Sequence, residues 1–385
     1  MSTDRAAGAL YGLAIGDALG MPTQSLPRAL IVERYGEVLD GFHPAPPDQP
    51  LAAGLPAGAI TDDTEQAVLL AELLVASGGR IDGTELAQRL LAWENSMRER
   101  GSLDLLGPST KRAITELLAG TDITETGRFG TTNGAAMRIA PVGIATSYAD
   151  LPRLVDRVVE ASAATHNTGL ALAGASAVAA AVSAGVEGAT VPEAIAAGIE
   201  AARLGAERGR WVAGADVATR IAWATSAFAA TSDLTSSAGA TASDQTGGLP
   251  LGRPSPEGVS LNTTPADGVS LDARPSTGTA PGRPPCPGAV SAFVYDLVGT
   301  SLATQESVPA AFAILAAYPD DPWLVCRLAA SVGGDCDTIG AMAGAISGAC
   351  HGAEAFPSEA RKTVAEVNNL RLDDLARELL ALRYS

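Results

Sequence analysis

Two short acidic motifs carry the side-chain oxygens best placed to do chemistry in this chain. One reads ITDDTEQAV, with Asp62 and Asp63 between Thr61 and Thr64; the other reads GGDCDTIGAM, with Asp335 and Asp337 followed by Thr338. Each opens an apolar, helix-like run, and few Lys or Arg residues lie nearby. Either pair alone has an ordinary use. Asp and Thr are favoured helix N-caps, acids suit the positive helix end, and Asp62 with Glu65 has the spacing of a capping box. Brought together, the pairs would do something else. Like charges about 4 Å apart repel by about 4 kcal/mol at an effective dielectric near 20, so such a cluster demands protons or cations. Carboxylates and hydroxyls, with no soft ligand beyond Cys336 between the aspartates, select hard divalent ions: Mg2+, Mn2+ or Ca2+.

Helices must position these motifs. The stretch TEQAVLLAELLVAS repeats apolar residues at helical spacing, and GTELAQRLLAWEN, STKRAITELLAG, LPRLVDRVVEASAATH, ALAGASAVAAAVSAG and PEAIAAGIEAARLG follow it. Farther on come VPAAFAILAAYP, WLVCRLAASVGG, the run after Asp337, and LDDLARELLALRY. Convincing alternating strands are absent, so the fold class is all-α. Near the N-terminus Gly8, Gly12, Gly16 and Gly20 recur every four residues and fall on one helix face. Each glycine weakens a helix by roughly 1 kcal/mol relative to Ala; close backbone packing against a neighbouring helix is the expected compensation. Gly333 and Gly334 suit a sharp turn into the second acidic motif. Residues 1–385 read as a single domain interrupted at 232–288 by a Pro/Gly/Ser/Thr-rich stretch, which reads as a disordered insertion with a mobile flap as the alternative.

The totals narrow the class. The chain has 385 residues, 46% hydrophobic, and a formal charge of −17. That sign is wrong for neutralising phosphates, so nucleic acid is not an expected partner. No run of 18 or more uncharged apolar residues is expected to span a membrane, and Asp17 breaks the signal-like run after Arg5. Cys286, Cys326, Cys336 and Cys350 have no CxxC spacing and read as reduced thiols of a cytoplasmic protein.

Five segments in order, GALYGLAIGDALGMPTQ, ITDDTEQAV, GTTNGAAMRIAPVG, ATHNTGLALAGASA and GGDCDTIGAMAGAI, resemble the ADP-ribosylglycohydrolase family and span most of the chain outside the insertion. The resemblance implies an all-α orthogonal helical bundle with a binuclear Mg2+ or Mn2+ site. It implies Thr61, Asp62, Asp63, Asp335, Asp337 and Thr338 as metal ligands, hence convergence of the two acidic motifs. GRFGTTNGAAMRIAPVG resembles the family's ribose- and phosphate-binding loop, with Thr132, Asn133, Gly134 and Met137 as substrate contacts; Arg138 reads as a salt-bridge partner. His166, one of three histidines, resembles a residue lining the ADP-ribose site; His43 and His351 take no role. Asp104 loosely resembles a catalytic carboxylate of the family, beside Asp62 and Asp63. Several members end the segment after GDALG in Glu, where this chain has Gln24 at the substrate site, and an amide cannot act as a general acid or base. The implied activity is hydrolysis of a ribosyl glycosidic bond, freeing ADP-ribose from an ADP-ribosylated acceptor. Two alternatives stand beside it: cleavage of a small ribosyl compound such as a nucleoside, and a non-catalytic binding or structural relative.

Overall fold

The glycine stripe of the first helix decides how two segments far apart in the sequence come together. In the computed structural model, which describes residues 2–101, 106–229 and 285–384, the helix Ser2–Gly20 lies along the helix Cys336–His351. A methyl group placed on Gly12 would sit 2.0 Å from the Gly344 carbonyl oxygen, and one on Gly16 would sit 2.0 Å from that of Gly340. The relation is reciprocal: Gly344 and Gly348 bear the same closeness to Gly12 and Gly8. The two helices therefore touch backbone to backbone, the compensation expected for so many helical glycines.

Around this seam pack the other long helices, Asp62–Ala76, Gly169–Glu187, Val191–Arg208 and Thr304–Ala317. Their expected positions hold to within a few residues, as do Gly83–Glu99, Pro108–Leu118, Leu151–Ser162, Pro322–Ala329 and Leu372–Leu382. Among the described residues there is no strand, only isolated bridges between Thr132 and Ala303 and between Thr168 and Arg210. The fold is the all-α bundle expected.

Two expectations need correction. Gly169–Glu187 is long and apolar enough to cross a membrane by length and composition. Its Ala, Gly and Ser side chains are instead turned into protein, with 94% of the apolar window buried. The second concerns the insertion. Residues 232–284 lie outside the described residues, but Pro287 and Gly288, inside the range read as disordered, begin the helix Pro287–Phe293. Proline is well tolerated in a first helical turn, so its presence was a poor boundary marker.

The glycine pair before the second acidic motif does what a left-handed turn requires. Gly333 has φ +88° and Gly334 φ +68°. Gly334 accepts from the Ser25 amide at 2.7 Å and donates to Leu26 at 3.0 Å, while the Asp335 amide donates to Thr300 at 2.8 Å. That turn thereby ties the loop carrying Gln24 to the start of the Cys336–His351 helix.

Candidate metal and substrate site

Neither acidic pair caps its helix. Thr61 is the N-cap of Asp62–Ala76 and Asp335 that of Cys336–His351, and neither makes a side-chain capping bond. The capping-box reading fails too, because Glu65 accepts instead from the Trp93 indole and from Arg100. The acids face each other. Thr338 Oγ1 donates to Asp63 Oδ2 at 3.2 Å across 275 residues of sequence, and Asp335 lies close enough to raise the Asp63 pKa.

A fifth carboxylate, Asp17, organises this cluster from below. It lies in the last turn of Ser2–Gly20, fully buried. Its oxygens accept from the Thr61 amide at 3.0 Å, the Thr61 hydroxyl at 2.7 Å, the Thr64 amide at 3.1 Å and the Thr64 hydroxyl at 2.5 Å. Asp17 thus clamps the turn that presents Asp62 and Asp63. Its clamp consumes a scarce resource. Thr61 has one hydroxyl hydrogen, and the nearer acceptor is Asp17, which leaves Asp63 Oδ2 facing a bare oxygen at 3.2 Å. Asp63 Oδ1 is buried with no hydrogen-bond partner.

Oxygens therefore outnumber the hydrogens that could satisfy them, and the titration behaviour follows. Burial, then Asp62, Asp17 and Asp335, push the Asp63 carboxyl well above its ordinary value. Burial pushes Asp17 and Asp335 up to about 6, against the pull of their hydrogen bonds. Such a cluster binds protons or hard cations. Among the described residues no three His, Cys, Asp or Glu side chains already form a metal cage. The orphaned Asp63 oxygen and the all-oxygen set of carboxylates and threonine hydroxyls nevertheless fit a hard divalent ion.

Above the acids opens a cleft of about 530 Å3, a size suited to a ligand of nucleotide dimensions. Asp62, Asp335, Asp337 and Thr338 form its acidic lining, and Thr132, Asn133, Gly134, Met137 and Gln24 line it as well. Gln24 is 4% exposed and its Nε2 lacks an acceptor. Asn133 is committed within the protein, donating to Asp335 at 2.5 Å and to Ser307 at 3.0 Å. The helix that follows is a single turn, Gly134–Met137.

Several expected residues lie elsewhere. Thr61 and Asp63 sit beneath the lining, and Asp104 lies outside the described residues. His166 does not face the cleft. Fully buried, it contacts the Thr165 hydroxyl through Nδ1 at 2.8 Å and the Thr132 hydroxyl through Nε2 at 3.0 Å. Burial and the neighbouring Arg138 charge hold its pKa well below the ordinary value. Arg138 was expected in a salt bridge. Instead it is fully buried and donates to Gly134 O at 2.6 Å, Thr165 Oγ1 at 2.8 Å and Gln66 Oε1 at 3.2 Å. Burial lowers its pKa to about 10, and it reaches Asp62 through Gln66, whose Nε2 donates to Asp62 Oδ2 at 2.8 Å. Sequence reasoning passed over Asp17, Gln66 and Thr165. For Asp17 a signal existed, a lone acid inside a helix of small apolar residues.

The family model for the ADP-ribosylglycohydrolases matches residues 2–385. An uncharacterised Escherichia coli K12 protein, YegU, is 31% identical over 383 residues, covering 100% of this chain and 98% of that protein. ADP-ribosyl-[dinitrogen reductase] glycohydrolase of Rhodospirillum rubrum is 32% identical over 148 residues, 37% of this chain and 45% of its own length. ADP-ribosylarginine hydrolase Tri1 of Pseudomonas putida GB-1 is 34% identical over 171 residues, 43% and 42%. The chain thus spans less than half the length of these two named hydrolases in the matched regions. A solved structure described as an ADP-ribosylglycohydrolase-related protein complex superimposes with a TM-score of 0.60 at 23% identity, covering 99% of this chain and 98% of that one; at this identity the likeness is one of fold.

Proposed function

The chain belongs to the ADP-ribosylglycohydrolase family, and on that footing we propose that it is a divalent-cation-dependent hydrolase releasing ADP-ribose from an ADP-ribosylated acceptor. The observation that carries this reading is the meeting of Asp63 with Thr338 and Asp335, an excess of carboxylate oxygen at the floor of a cleft. Thr61, Asp62, Asp63, Asp335, Asp337 and Thr338 would hold two ions, Mg2+ or Mn2+. When bound, the ions supply Lewis acidity toward ribose hydroxyls and water.

The remaining chemistry falls to the chain's own residues. Asp62 lines the cleft with one oxygen held by Gln66, which keeps it oriented to accept a proton from an attacking water. The water oxygen forms the new bond to the anomeric carbon while the bond to the acceptor nitrogen or oxygen breaks, and the proton passes on to that leaving atom. Positive charge developing on the ribose ring is stabilised by the surrounding carboxylates. Asp104 is the second candidate for the proton-accepting role. Four free thiols accord with a reducing, cytoplasmic setting.

The test is direct. Incubated with ADP-ribosyl-arginine and Mn2+, the intact protein is expected to release ADP-ribose, to lose the activity in EDTA and to regain it on metal repletion. Undiminished turnover in EDTA refutes the metal dependence. A second reading, hydrolysis of a small ribosyl compound, is favoured by Gln24, whose neutral amide lines the cleft where a carboxylate would attract a cationic acceptor. Turnover of a nucleoside panel without ADP-ribose release selects it.

A further inference from the structure

Thr132 and Asp62 line the same cleft, as does Gln66, and a chain of hydrogen bonds joins them through Gln66 and the buried Arg138, Thr165 and His166. It runs from Asp62 to Gln66 at 2.8 Å, to Arg138 at 3.2 Å, to Thr165 at 2.8 Å, to His166 at 2.8 Å and to Thr132 at 3.0 Å. The direction of this chain can be read from its chemistry. A guanidinium has donors and no acceptor, so Thr165 Oγ1 accepts from Arg138. The single hydrogen of Thr165 must then leave toward one of two acceptors, His166 Nδ1 at 2.8 Å or the Ser162 carbonyl at 3.4 Å. The shorter contact takes it.

With Nδ1 accepting, the ring proton sits on Nε2 and is donated to Thr132 Oγ1. The Thr132 oxygen is thereby occupied as an acceptor and its own hydrogen is left to point into the cleft. We propose that Arg138 and His166 are positioning residues that fix Thr132 as a hydrogen-bond donor toward an acceptor oxygen of the ribosyl ligand. The opposite tautomer would take the Thr132 hydrogen and leave only lone pairs toward the cleft, which repel those of a phosphate, and a ring flip would set a C–H against Thr132 and break the contact. The surroundings hold the ring to one state. It is fully buried, and Gly134 closes over it so tightly that a methyl there would lie 3.0 Å from Cε1. The expected substrate-contact role of His166 is replaced by this indirect one.

The polarity of the relay is independent of the ligand; the identity of the ligand rests on the ADP-ribose reading above, and the experiment separates the two. Nitrogen NMR of the intact, 15N-labelled protein resolves three histidines, with His166→Gln assigning the signal. His166 is expected to be neutral with its proton on Nε2 throughout the range of about pH 5 to 8 where histidine normally titrates. An Nδ1–H tautomer, or an imidazolium near neutral pH, overturns the relay without reference to any ligand. Calorimetry with ADP-ribose then tests its use. Thr132→Ser should bind as the native protein does, while Thr132→Val and His166→Phe each lose about tenfold. The double variant should lose no more than either alone, and His166→Gln, which keeps one donor and one acceptor, should recover part of the loss. Native affinity in Thr132→Val, or full additivity in the double variant, refutes the proposal. If the native protein fails to bind ADP-ribose, the functional reading falls and the tautomer still judges the relay; if His166→Phe fails to fold, the same measurement decides.

Discussion

The two walls of the cleft obey opposite hydrogen-bonding rules. On the acidic wall acceptors outnumber donors: Asp17 takes both hydrogens of Thr61, Asp63 keeps an orphaned oxygen, and three carboxyls are raised above their ordinary pKa. On the Thr132 wall a buried guanidinium supplies donors to neutral oxygens, and the imidazole is engaged at both nitrogens. The second is nearly complete, with Arg138 Nε left without a partner. The first is complete only with added positive charge. The difference teaches that the cleft lining has two characters, cation-seeking at the carboxylates and acceptor-seeking near Thr132, a combination that suits the anionic substrate and divalent ions proposed above.

The largest effect should come from removing an acid. Asp63→Ala or Asp337→Ala is expected to lower ADP-ribose release by at least about 10³-fold, the scale of losing an electrostatic stabiliser at a reacting centre. Retained turnover in either would break the comparison, since the acidic wall would then be ornament. Removing charge by protonation gives the next effect. Asp17 and Asp335 have pKa values near 6 in the folded protein against an ordinary 3.8, so the folded state keeps protons that the unfolded chain has released. Stability from these groups is therefore fully present below about pH 4 and is lost as pH rises through about 6. Urea melts in EDTA should show that decline, and saturating Mn2+ should oppose it. A stability that rises over this interval contradicts the assignment.

A smaller effect probes the seam beneath the acids. Gly8→Ala and Gly20→Ala each place a methyl about 2.3 Å from the opposing helix, the first near Gly348 and the second against the Asp337 Cα. Both are expected to cost about 1–3 kcal/mol in thermal unfolding. Only Gly20→Ala should also depress turnover of the molecules that remain folded, because it displaces a cleft residue; equal turnover in the two would detach the seam from the site. Least of all, Gln24→Glu should change affinity for ADP-ribose by no more than about tenfold, roughly 1.4 kcal/mol. Its direction sharpens the comparison: a weaker hold on an anionic ligand places Gln24 on the acceptor-seeking side.

Much of this was legible in the order of residues. Periodic apolar spacing located the long helices, and the four-residue glycine repeat announced a close helix contact before its partner was visible. The paired aspartates beside threonines were recognisable as a cluster in waiting, because few residue types serve both ends of a hard-ion site. The neutral wall was harder to read. Arg138 looked like half of an ion pair, and only packing shows that its partners are a carbonyl, an amide and a hydroxyl. His166 looked like a contact residue because imidazoles often are; its burial is decided by Gly134 and Thr132, whose proximity no local pattern encodes. Asp17 was noticed as an interruption of an apolar run. Its role as a clamp depends on Thr61 and Thr64, more than forty positions later.

The glycine seam also carries a consequence for the order of folding. Residues 8–20 and the segment they grip, 337–348, lie more than three hundred positions apart along the chain. Their meeting closes a long loop at an entropic cost, so the seam should form late among the contacts of the fold. The two acidic motifs are comparably distant in sequence, and the site they share should assemble in that same late step.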